Sequence, residues 1–158
     1  MIKIPAGVED GQQIRLSGEG EPNPYGGLRG NLFIQIAVQE HDYFTRENDN
    51  VIYELPINVA QAALGEEVEV PTLDGTAKIK IPAGVQDGKS IRLQGKGIPH
   101  LNSQGRGDEQ VIIRIAVPQN LTDQQKKLFQ ELAKSLNSED SRSKSGKDKG
   151  IFSGFKKP

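Results

Sequence analysis

The sequence predicts a mostly-β chain: two tandem small β-sandwich-like units, the first incomplete, followed by a C-terminal amphipathic helix. Three observations carry that prediction. Residues 2–22 and 79–99 align without a gap at an offset of 77, with 15 identities in 21 positions. Chance does not produce such a match, whereas duplication of one structural unit does. Within each copy apolar residues alternate with polar ones, the period of a strand with one buried face. The composition agrees, since 18 Gly and 9 Pro beside only 34% apolar residues suit a turn-rich β protein with a lean core.

Composition also excludes whole classes of function. A chain of 158 residues holds one ordinary domain or two small ones. It has no Cys, hence no disulfide framework, thiolate zinc site or cysteine nucleophile. A formal charge of −1 argues against a general nucleic-acid binder. No apolar run approaches the roughly 18 residues of a membrane span, and the first residues do not read as a signal peptide. The expected compartment is therefore the cytoplasm, with neither nucleic acid nor membrane as partner.

The elements follow in order along the repeat. IKIPAGV occurs at 2–8 and 79–85, Asp-Gly at 10–11 and 87–88, IRL at 14–16 and 91–93, and Arg-Gly at 29–30 and 106–107. Ile79 and Ile81, then Ile91 and Leu93, alternate as strands around a turn in which Pro fixes φ and Gly supplies positive φ. Val111, Ile113, Ile115 and Val117 alternate again, and the first copy matches them with Leu32, Ile34, Ile36 and Val38. Upstream of the second copy, 51–56 reads as a strand. Asn58 caps a short helix, with Gln61 at the capping-box position and Gly65 as its stop. Residues 66–70 and 76–81 bracket Thr-Leu-Asp-Gly as a hairpin. A complete unit thus runs from about residue 51 to 117. The first copy begins directly at IKIPAGV, so its helix and leading strands would lie before residue 1. The chain is expected to be a fragment with an open strand edge at residues 1–5, a hazard for aggregation.

Beyond Pro118 the pattern changes. Thr122 can cap a helix of about 15 residues in which Leu128, Leu132 and Leu136 recur every four positions beside Phe129 and Ala133. SEDSRSKSGKDKG then reads as a flexible linker, and Ile151, Phe152 and Phe155 follow near the end. The expected division is 1–41 for the incomplete unit, 42–120 for the complete one, 121–137 for the helix and 138–158 for the tail.

No constellation supports catalysis. GEGEPNPYGG (18–27) lacks the Lys-Ser/Thr of a phosphate loop. His41 and His100, the only two histidines, lie in unrelated segments with no nucleophile in a supporting motif. Asp49, Asp74 and Asp108 fall in turns, where Asp satisfies local backbone N–H groups. The reading is of a non-enzyme.

The motifs resemble the C-terminal region of the DnaJ family of co-chaperones. IPAGVxDGxxIRLxGxGxP looks like the family's first C-terminal β-domain, and HDYFTRENDNVIYELPINVAQAALGEEVEVPTLDG like the connection into the second. LTDQQKKLFQELAKSL is similar to the terminal helix, so the likeness covers residues 2–137. The J-domain with its His-Pro-Asp tripeptide has no counterpart, nor does the Cys-rich zinc region. Zinc is thus expected only upstream, if the parent is of the zinc-containing type, and no cofactor is expected in this chain. The resemblance implies binding of unfolded or partly folded polypeptide, delivery to a DnaK-type chaperone by the intact parent, and homodimerisation. The alternating apolar residues Ile2, Ile4, Leu32, Ile34 and Ile36 are the candidates for client binding, and the resemblance sets Ile34 nearest the family's groove, with the other groove positions before Met1. It points to Leu128, Leu132 and Leu136, with Phe152 and Phe155 as an anchor, for dimerisation, and it sets His41 at the inter-domain junction with Phe44 nearby. Alternating apolar residues also fill cores by default, and an amphipathic helix can equally lie on a neighbouring domain as a lid. The alternative function is a structural dimerisation module whose client groove does not work.

Overall fold

The computed structural model describes residues 3–143, with side chains through Asn137. The elements are β1 (Gln13–Leu16), β2 (Leu32–Gln35), β3 (Phe44–Glu47), β4 (Asn50–Asn58), α1 (Val59–Leu64), β5 (Glu66–Thr72), β6 (Gly75–Ile81), β7 (Ser90–Leu93), β8 (Glu109–Ala116) and α2 (Asp123–Ser143). The chain divides into two compact units, Met1–Val117 and Pro118–Pro158. It is mostly β, in several small sheets with a helix at the C-terminal end.

Within the first unit the duplication holds down to individual hydrogen bonds. β1 pairs antiparallel with β2, Gln13 opposite Gln35 through Leu16 opposite Leu32. β7 pairs with β8 in the same register shifted by 77, Ser90 opposite Ile112 through Leu93 opposite Glu109. The Gly11 N–H donates to the Ile36 carbonyl as Gly88 does to Ile113, both at 2.8 Å. Asp10 accepts from the Val38 N–H and Asp87 from the Ile115 N–H, again both at 2.8 Å. Gly20 and Gly30 bridge their loop as Gly97 and Gly107 bridge theirs.

What surrounds the two pairs differs. β8 has a second neighbour, β4, which runs parallel to it and completes a four-stranded sheet ordered β3-β4-β8-β7. The β5–β6 hairpin and α1 cover that sheet, so Val70, Val111 and Ile113 are fully buried and Ile57, Ile79 and Ile81 nearly so. Each such side chain contributes about 1.5–3 kcal/mol by leaving water. The helix bounds are those the sequence predicts: the Asn58 side chain accepts from the Gln61 N–H, Gln61 answers the Asn58 N–H, and Gly65 ends the turn.

Four expectations change. Residues 3–5 form no strand, and Ile4 is exposed, because their counterparts in β6 are held by β5, which has no equivalent beside them among the described residues. β2 stops at Gln35 instead of running on to Val38, again with no neighbour but β1 among the described residues to extend against. β3 was not foreseen. The helix α2 has 21 residues rather than about 15, continuing through 138–143, where neither Gly nor Pro interrupts it. Its start is as expected, Thr122 accepting from the Gln125 N–H while Gln125 answers the Thr122 N–H.

Candidate functional site

The client-binding candidates gather on β2. The period-2 alternation of LFIQI puts Leu32, Ile34 and Ile36 on one face, opposite Leu16 and Ile14 of β1. Leu32 is 40% exposed, while Ile34 and Ile36 are half-buried. At the equivalent positions of β8, Val111 and Ile113 are 0% exposed. The chemistry of the strand is the same, and only the covering differs. β2's outer edge has no paired strand among the described residues, so its backbone N–H and C=O groups face away from β1 unsatisfied by the sheet. Ile2 lies outside the described residues. Five further large apolar side chains of this copy are exposed: Ile4, Val38, Phe33 on the opposite face, and Tyr25 and Leu28 on the 18–30 loop. Gly and Pro mark 18–30 as turn, and the bulk of Tyr25 and Leu28 among them is the sequence signal of this exposed apolar surface.

Arg46 fastens the first copy to the second, and Gly7 packs closely against Pro99 of the second-copy loop. Arg46, on β3, donates through Nη1 to the Val8 carbonyl at 2.8 Å and through Nη2 to that of Gly7 at 3.2 Å, while its Nε–H holds Asn48 O at 2.8 Å. Beside this clamp a cleft of about 570 Å3 opens between Asp10, Val38 and His41 of one copy and Phe44, Val51 and Ile98 of the other. His41 lies tilted at 5.0 Å from Phe44 and edge-on at 4.4 Å to Tyr43. His41 and Phe44 thus meet at the junction. His100 pairs instead with Asp49 at 2.7 Å, so the two histidines serve separate contacts. No group of three or more metal-ligating side chains occurs among the described residues.

On α2 every described side chain from Asp123 to Asn137 is exposed. Leu128, Leu132 and Leu136 are 52–58% exposed and Phe129 37%. They form one apolar stripe along the helix. Phe152 and Phe155 lie outside the described residues.

Comparison with known proteins decides the family. The model for the DnaJ C terminal domain matches residues 1–118. The chain belongs to the DnaJ C-terminal domain family. Relatives named Chaperone protein DnaJ include those of Roseiflexus sp. (strain RS-1), 53% identical over 155 residues, and Brevibacillus choshinensis, 47% identical over 156. The Bacillus cytotoxicus relative is 49% identical over 153 residues. These alignments cover 97–99% of this chain but 41% of each relative. The chain therefore spans about two fifths of the length of the DnaJ proteins it matches. DnaJ is a family of co-chaperones, not of enzymes, and the non-catalytic reading of the sequence agrees. The residues present do not fit the zinc of some members, because the sequence has no cysteine.

Proposed function

We propose that this chain is the polypeptide-binding and dimerising part of a DnaJ-type co-chaperone that, within its intact parent, delivers clients to a DnaK-type chaperone in the cytoplasm. The carrying observation is the open face and edge of β2. A sheet that leaves Leu32, Ile34 and Ile36 partly exposed beside unpaired backbone can accept an extended client as an added strand, its alternate side chains settling on the apolar face. Non-native chains expose such segments, whereas native surfaces rarely do. The stripe on α2 supports self-association through Leu128, Leu132 and Leu136. Two protomers would hold two segments of one client and gain avidity without a new contact. No cofactor, nucleic acid or membrane enters this reading, and zinc would belong to an upstream region.

One experiment addresses both surfaces. The chain should suppress aggregation of a denatured model protein, and Ile34→Asp should weaken that protection while leaving the dimer mass in ultracentrifugation unchanged. Leu132→Asp should yield a monomer that protects less well. A chain that dimerises and never protects would favour the second reading, a structural dimerisation module, which the shortness of the four-residue β2 supports. A mass unaffected by Leu132→Asp would remove the stripe from the interface.

A further inference from the structure

The one place where the second copy buries what the first leaves open, and buries the wrong chemistry, is Glu109. It is the first residue of β8 and stands where the first copy has Leu32. Its side chain is 0% exposed, and neither carboxyl oxygen has a hydrogen-bond partner. Its lateral neighbours in register are Val51 of β4 and Leu93 of β7, both apolar. Buried unpartnered carboxyls are costly as acids and far costlier as anions.

The charged groups on the elements around it are mostly committed to other partners. Lys96, on the loop that joins β7 to β8, is the one cation acting on it directly. Asp74, on the β5–β6 turn, is bound by Arg106 at 2.6 Å, and Arg106 also donates to the Gly97 carbonyl. Asp108 is held by Arg92 and the Gly95 N–H, and Asp49 by His100. Arg46, two strands away in the same row, is committed to three carbonyls. Among the described residues only Lys96, whose charge also acts on Asp74, is placed to compensate an anion here, and its field is outweighed by burial, which pushes Glu109 up to about 7.

We propose that Glu109 is a protonation-dependent latch: as a neutral acid it closes the end of the core beside the 94–108 loop, and as an anion it turns toward Lys96 and loosens that loop. The loop is in position to transmit the change. Ile98 lines the cleft between the copies together with Val51, and the Ile98 N–H is bound to the Asp49 carbonyl at the β3–β4 turn. Loosening it therefore slackens the wall against which the first copy sits.

The sign follows from linkage. The unfolded chain ionises near 4.5 and the folded one near 7, so the contribution is neutral below the lower value. Between the two the unfolded state alone releases the proton. The unfolding constant therefore rises by about two orders of magnitude across that window and is flat above it.

The test uses the full chain. With carboxyl-13C glutamate, the Glu109 resonance should titrate about two units above an ordinary glutamate. Amide exchange of the 94–108 loop, corrected for intrinsic rate, should speed up roughly tenfold or more between about pH 5.5 and pH 8, and Glu109→Leu, which restores the residue type of the first copy, should abolish that dependence. Glu109→Gln, a neutral isostere, should do the same if Glu109→Leu does not fold. A Glu109 midpoint in the ordinary carboxylate range, or a pH-dependent loop that persists in either variant, would overturn the latch.

Discussion

The two copies of the repeat are an experiment in what a β-unit gains from its neighbours. Residue for residue they share turns, register and cross-loop hydrogen bonds. Yet Ile113 is 0% exposed, while Ile36 at the same position in the first copy is only half-buried. The local code specifies the hairpin-like pair. Burial comes from β4, α1 and the β5–β6 hairpin, which have no described counterpart around β1 and β2. One sequence pattern thus makes a core in one setting and an accessible apolar face in the other.

The sharpest way to break the equivalence is at the glycines that close the two loops. A Cβ on Gly107 would overlap the Asp49 carbonyl and crowd Asn50, because the second-copy loop is pressed against the β3–β4 turn. The same atom on Gly30 would meet nothing nearer than the Glu21 carbonyl at 3.7 Å. Gly107→Ala should therefore destabilise the unit by about 3 kcal/mol or more through overpacking against backbone. Gly30→Ala should stay within about 1 kcal/mol of the parent. Denaturant midpoints measured on the pair decide it, and equal losses would mean the loops are equally enclosed.

A smaller contrast is available with identical side chains. Ile113→Ala removes fully buried methyl groups from the core and should cost about 3–4 kcal/mol. Ile36→Ala removes them from a partly exposed face and should cost about 1 kcal/mol. If a client covers that face, a saturating peptide should widen the loss for Ile36→Ala and leave that for Ile113→Ala unchanged. Chemical denaturation with and without peptide measures both.

How much of this was legible depended on whether the signal was local. Asn58, Gln61 and Gly65 announced α1 because capping is settled within a few residues. The Leu73-Asp74-Gly75 turn announced β5 and β6 in the same way. β3 was missed because Phe-Thr-Arg-Glu carries one apolar residue and is held by its pairing with β4. The parallel ladder of β4 and β8 joins residues such as Val51 and Glu109, which no local period can relate. At the candidate site, alternation placed Leu32, Ile34 and Ile36 on one face. Their exposure reflects which strands and helices pack around them and could not be read from the strand. Glu109 was invisible for the opposite reason: a charged residue in a strand reads as solvent-facing, and only the sheet around it shows otherwise.

The subtlest difference between the copies is electrostatic. Asp108 accepts from the Gly95 N–H at 2.8 Å and from Arg92 Nε at 2.6 Å, and these bonds hold its carboxyl below the usual range. The first copy keeps the arginine as Arg15 but has Asn31 in place of the aspartate. A carboxyl with a depressed folded value adds stability above its ordinary range and loses it as pH falls through the folded value. Asp108→Asn should therefore lower the unfolding midpoint at neutral pH, with the gap to the parent closing in acid. Asn31→Asp should give the first copy a gain of the same sign but smaller, because position 31 is exposed where the Asp108 side chain is only 16% exposed, so the new pair is screened by water and salt. Midpoints recorded against pH at low and high salt separate the two sites. An Asp108→Asn chain whose loss persists undiminished into acid would show that Asp108 acts through shape rather than charge, and that the two copies differ there only in packing.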